Sequence, residues 1–207
     1  MKQILCYGDS NTWGYQGSVL NRFSTDVRWT GRLAKMTEGK WKIIEEGLCG
    51  RTIAMEDDIQ PYRNGLRLIE PCLMSHHPLD CILIMLGTND TKCRYHLSPG
   101  EIGLSMEQML KKVQSFLRWY KSESKVLLIS PASLRETEFD DCELDRTSIE
   151  KSGMLSEIFS EIALRYHVEF MDADQCVSSF QNDGCHFSED GHRQFAEAVL
   201  KKLTEIL

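Results

Sequence analysis

Two patterns of apolar residues alternate along this chain. Short, largely apolar runs stand at residues 4–7, 41–45, 79–86, 126–129 and 168–171. Apart from Asp80 the run at 79–86 is apolar on consecutive positions, as a strand covered on both faces should be. Between these runs the apolar residues recur at helical spacing. Ile102, Met106, Met109, Val113, Phe116 and Tyr120 form one stripe, and Phe195, Val199, Leu203 and Ile206 form another. The first of these helices opens on Ser98-Pro99-Gly100-Glu101, which reads as a capping box with proline at the first helical position. The last begins near Ser188. Residues 27–37, 64–75 and 148–166 also read as helices. Strands alternating with helices imply right-handed βαβ units and a parallel sheet. The expected fold is a three-layer α/β/α domain with about five strands, spanning residues 1–207. Two polar stretches, residues 51–64 and 132–147, are expected to be surface loops, with a role as lids left open.

Composition narrows the function classes. A formal net charge of −7 argues against a nucleic-acid partner, which would require a basic patch. No apolar stretch approaches the ~20 residues of a membrane span. The N-terminus turns polar just after Tyr7 and lacks the apolar region of a secretory signal, so a cytoplasmic location is expected. The eight cysteines form no Cys-x-x-Cys pair. Buried free thiols are expected rather than a disulfide framework.

In an open parallel sheet, ligands bind beyond the carboxyl ends of the strands. The residues just past the first strand are Gly8-Asp9-Ser10-Asn11-Thr12-Trp13-Gly14. Those past the second are Gly47-Leu48-Cys49-Gly50-Arg51, and those past the third are Gly87-Thr88-Asn89-Asp90. Asp183-Gly184-Cys185-His186 comes beyond the fifth. A serine on a tight turn can be a nucleophile if a base reaches it, although most serines there only cap or turn the chain. His186 stands out among six histidines because Asp183 lies three residues before it in a loop. That carboxylate can hold one ring nitrogen while the other faces Ser10. His192 is a reserve base. Asp183, His186 and His192 could also be read as metal ligands, but no further ligand stands at a usual spacing. Asn89 offers an amide, and Gly50 and Ser10 offer backbone N–H groups, for a developing oxyanion. Asn11, Trp13, Cys49, Lys92 and Cys185 flank these positions and are candidate substrate contacts. A different class stays open: a hydroxyl-rich loop after a first strand can also hold the phosphate of a flavin or nucleotide.

At these residues the chain resembles the GDSL, or SGNH, hydrolase superfamily. That superfamily is named for a catalytic Ser, an oxyanion Gly, an oxyanion Asn and a catalytic His, which match Ser10, Gly50, Asn89 and His186 in order. Asn11 stands where the family name has Leu. Asp26 to Gly31, Glu45 to Thr52 and Met85 to Lys92 are similar to the arylesterase branch of that superfamily. The resemblance implies a flavodoxin-like sheet of order 2-1-3-4-5 and a serine esterase acting on short acyl, aryl or small alkyl esters. It implies no metal and no cofactor, and in some members acyl transfer to alcohols or peroxide. The departure is Cys49-Gly50, where that branch carries Ser-Ala; a side-chain hydroxyl is lost there, and the backbone donor is kept. A carbohydrate O-acetylesterase on the same fold is the alternative. The expected partner is a small-molecule ester, with neither nucleic acid nor membrane, and homo-oligomerisation is left open.

Overall fold

The computed structural model describes residues 1–17, 21–137 and 143–207. Its centre is a five-stranded sheet built from β1 (Lys2–Gly8), β4 (Trp41–Gly47), β5 (Cys81–Met85), β6 (Lys125–Ser130) and β7 (Glu169–Asp172). The strand order is β4-β1-β5-β6-β7, and every neighbouring pair is parallel. Among these five strands that is the 2-1-3-4-5 order. Strand β1 pairs with both β4 and β5, so the chain reverses its direction of travel across the sheet there. Ligands of open α/β sheets bind at such a reversal.

Alternation of side chains divides the continuous apolar strands between two cores. Leu5, Tyr7, Ile82, Ile84, Val126 and Leu128 face one side. They pack against α3 (Gly65–His76), α4 (Pro99–Tyr120) and α5 (Arg146–Tyr166). Ile4, Cys6, Leu83, Met85, Leu127 and Ile129 face the other side. Trp29 and Leu33 of α2 (Trp29–Met36), with Phe195, Val199 and Leu203 of α6 (Glu189–Ile206), cover them. The capping box of α4 forms as expected: Glu101 N–H donates to the Ser98 hydroxyl, and Ser98 N–H donates to the Glu101 carboxylate.

Three features were not foreseen in the sequence. A four-residue helix, α1 (Ser10–Trp13), follows β1 directly. A small antiparallel hairpin, β2 (Tyr15–Gln16) with β3 (Asn21–Arg22), comes next. Residues 51–64 are not a plain surface loop, because Arg51, Thr52, Ile53, Asp57 and Asn64 are buried. Burial alone would raise the Asp57 carboxyl, but Tyr95, Arg94 and two backbone N–H groups hold it well below the usual carboxylate range. The stretch at 132–147 falls partly outside the described residues. Cys6 and Cys81 are buried thiols, Cys49, Cys72 and Cys176 are half-buried ones, and Cys142 lies outside the described residues. No described helix is long and apolar enough to cross a membrane.

Candidate active site

Strand β1 ends on Gly8 because nothing larger fits. A Cβ there would lie 2.1 Å from the Thr12 hydroxyl. The chain then turns straight into α1. The Asp9 carboxylate caps that helix by accepting the Asn11 N–H at 3.1 Å, and Gly14 closes it in a left-handed conformation. Ser10 is therefore the first helical residue above the sheet edge, and it is only 8% exposed.

The histidine beside Ser10 arrives from the far end of the chain. Asp183 organises its own turn: one carboxylate oxygen accepts the backbone N–H of Cys185 at 3.0 Å and of His186 at 2.9 Å. The other oxygen pairs with His186 Nδ1 at 2.7 Å. Burial would raise this carboxyl, but the hydrogen bonds it accepts from the His186 ring and from the backbone N–H groups of His186 and Cys185 outweigh it and hold Asp183 below its ordinary value. An ionised carboxylate only accepts, so Nδ1 carries the hydrogen. Nε2 is left to accept from the Ser10 hydroxyl, 2.8 Å away. The Tyr15 ring packs on the imidazole with centroids 4.4 Å apart.

Asn11 was expected to touch substrate, but its side chain joins the two arms instead. Its amide donates to Cys185 O at 3.1 Å, and its oxygen accepts Phe187 N–H at 2.8 Å. Gln181 makes a second clasp, donating to Tyr15 O and Phe187 O and accepting Gly17 N–H. Neither clasp is visible as a motif, because each joins positions about 165 residues or more apart.

Asn89 sits just past β5 and donates one amide hydrogen to Arg51 O at 3.1 Å, which leaves the second. Arg51 had no assigned role, yet it ties this end of the sheet together. Its guanidinium donates to Gly8 O at 2.9 Å and to Glu46 O, and lies 4.0 Å from the Tyr7 ring centre. Gly50, just before it, has φ +79, which side chains disfavour. Asp90 is fully buried and accepts Ile53 N–H, fixing the loop that carries Gly50 and Arg51. Burial pushes the Asp90 carboxyl up to about 7 and that of Asp9 up to about 6.

The remaining candidates separate. His192 is fully buried, and its Nδ1 is 3.4 Å from Trp29 N. Burial, with Arg32, His186 and Arg28 nearby, pulls it down to about 3, so it is a neutral core histidine facing Phe23 and Phe187. It does not form a metal-ligand group with Asp183 and His186 among the described residues. Lys92 is buried and paired with Glu143 at 2.7 Å. Trp13 is half-buried under Arg22, and Cys49 is half-buried beside Gly50. A cavity of about 690 Å³ opens beside the histidine, lined by Tyr15, Phe180, Gln181, Asp183, Cys185 and His186 among others. Cys185 is thus the one of the five candidate contacts that lines this cavity.

Known proteins share this fold. An aryl esterase from M. smegmatis matches at 35% identity over the whole of both chains, with a TM-score of 0.94. A carbohydrate acetylesterase from Sinorhizobium meliloti matches at 32% identity over both whole chains, also with a TM-score of 0.94. A lipase/acylhydrolase from Enterococcus faecalis shares the fold, at 20% identity and a TM-score of 0.70. No curated protein sequence matches significantly. The model of the GDSL-like lipase/acylhydrolase family matches residues 6–194, and the chain belongs to that family.

Proposed function

We propose that the protein hydrolyses small carboxylic esters through an acyl-enzyme formed on Ser10. The observation that carries this reading is the continuous chain from Asp183 through His186 to Ser10, at 2.7 and 2.8 Å. His186 Nε2 takes the serine proton as Oγ attacks the ester carbonyl carbon, and returns it to the departing alcohol. Water then repeats the sequence on the acyl-enzyme and releases the acid. The backbone N–H groups of Ser10 and Gly50 and the second hydrogen of the Asn89 amide receive the oxyanion. Such donors act most strongly once the charge has formed, so they stabilise the transition state more than the ester. No step needs a metal or cofactor.

The cavity of about 690 Å³ reaches the proposed base His186 but is not lined by Ser10, Gly50 or Asn89, so it offers an ester room beside the base and does not define the acyl pocket. Whole-chain similarity to an aryl esterase supports aryl esters as substrates. The equally extensive similarity to a carbohydrate acetylesterase favours acetylated sugars as the second reading. Transfer of the acyl group to an added alcohol is the finer proposal, and Cys49-Gly50 offers no hydroxyl to assist it. Nothing in this chemistry calls for a membrane or nucleic-acid partner, and a cytoplasmic setting fits half-buried thiols beside the site.

A fluorophosphonate probe tests the reading. It should add one label to the wild type and none to Ser10→Ala, and Ser10→Ala should hydrolyse neither p-nitrophenyl esters nor acetylated sugars. Labelling on Cys49 or Cys185 would overturn the assignment. The ester panel separates aryl from sugar substrates, and ester product formed with added alcohol would establish transfer.

A further inference from the structure

Away from Ser10, the described residues bring three metal-ligating side chains together at one other place. Glu46 lies near the end of β4, the edge strand, and Cys72 and His76 lie on α3. Residues four apart share a helix face, and here that face turns toward Glu46. His76 Nε2 already stands 2.8 Å from the Glu46 carboxylate. The three ligand atoms all lie within 4.8 Å of one another. Bonds of roughly 2.0–2.3 Å to a tetrahedral zinc put ligand atoms about 3.5 Å apart, so small side-chain rotations close the set.

We propose that Glu46, Cys72 and His76 form a site for a zinc-class divalent cation, with water as the fourth ligand. The donor set matches that class. Thiolate and imidazole favour zinc over magnesium or calcium, which take oxygen ligands. On loading, the Cys72 Sγ–H bond breaks, its proton goes to solvent, and the thiolate and carboxylate balance the charge of the ion. His76 binds as neutral imidazole. All three residues are partly exposed, so the ion reaches them from water. His76 is also the last residue of α3, where the helix carbonyls favour a positive charge. The bound ion would clip the sheet edge to α3. It would sit at the root of the Gly50 loop, since the Glu46 carbonyl accepts from Arg51.

Cobalt titration of the chelator-treated full-length protein tests this site. One equivalent of Co²⁺ should bring up a near-ultraviolet thiolate charge-transfer band, and Zn²⁺ should bleach it. Cys72→Ala and Cys72→Ser should lose the band; either variant suffices if the other fails to fold, with circular dichroism as the check. His76→Ala and Glu46→Gln should keep a weaker band, with affinity lowered at least about tenfold, the loss that even outer partners of a ligand cause. Zn²⁺ should raise the Tm of the wild type and not that of the Cys72 variants. A titration without the band would overturn the proposal. So would a band that survives in a Cys72 variant, because it would place the ion on another thiol.

Discussion

The two halves of the active site are held by different means. Ser10, Gly50 and Asn89 stand just past β1, β4 and β5, three adjacent strands of one sheet. Beneath them lie Asp9, Thr12, Arg51 and Asp90, all buried. The base stands on a loop between β7 and α6, where the Asp183 side chain is 36% exposed. Ser10, Gly50 and Asn89 inherit their positions from the core. The base is placed by a local turn and two side-chain clasps, each hydrogen bond contributing only about 1 kcal/mol net. Damage to the strand-end half should therefore appear in stability and activity together. Damage to the histidine arm should appear in activity alone.

The largest expected effect contrasts two histidines. His186→Ala should lower kcat on the order of 10⁵–10⁶-fold while leaving Tm close to wild type. His192→Ala should do the opposite. Loss of a ring packed between Phe23 and Phe187 leaves a cavity costing about 2–4 kcal/mol, with kcat per folded molecule nearly unchanged. Measuring kcat and Tm for both decides it. An inactive but stable His192→Ala would break the comparison.

Next comes Asn89→Ala, which should lower kcat by about 10²–10³ with little change in KM. Because the same amide holds the Arg51 carbonyl, a stability loss of about 1 kcal/mol should accompany it. An unchanged kcat per folded molecule would remove Asn89 from the oxyanion site and leave it a purely structural residue. Asn11→Ala cuts the clasp between the halves and should cost about tenfold in kcat, since small misplacements of a base are expensive. Asn11→Asp restores only the acceptor for Phe187 N–H. A kcat between those of Ala and wild type would show that Asn11 acts by positioning, whereas equal kcat in all three would refute it.

The sheet and its helices were legible because continuous apolar runs and helical stripes are local patterns. The Asp183–His186 pair was legible for the same reason: one carboxylate caps the turn that presents the ring three residues later. The support beneath Ser10 was not legible. Arg51 acts through Gly8 and Tyr7, and Asp90 through Ile53, and neither spacing has a period or a motif. Asn11 was placed in the right neighbourhood, but its task of joining the two arms was not legible, because its partners come from residues 185–187. Residues 51–64 look polar enough to be solvent-exposed, yet their buried Asp57 is matched internally by Arg94 and Tyr95.

The smallest expected effect separates the carboxylates of the two halves by the sign of their pH dependence. Burial pushes Asp90 up to about 7 and Asp9 up to about 6, whereas an unfolded aspartate titrates near pH 4. Between those values the folded protein holds protons that the unfolded chain has lost. Stability from these two groups is thus fully present below about pH 4 and falls as pH rises toward 7. Asp183 has the opposite sign. Its folded value is lowered, so its contribution is complete above about pH 4 and is lost on further acidification. Each pH unit of such a difference is worth about 1.4 kcal/mol. Asp90→Asn keeps an oxygen for Ile53 N–H but cannot ionise, so its Tm should fall less between pH 5 and 8 than that of the wild type, by roughly 5 °C. Thermal melts of both proteins at pH 5, 6, 7 and 8 give the slopes. Parallel slopes for wild type and Asp90→Asn would mean that Asp90 ionises at its ordinary pH despite its burial, and the contrast between the buried and exposed carboxylates would fail.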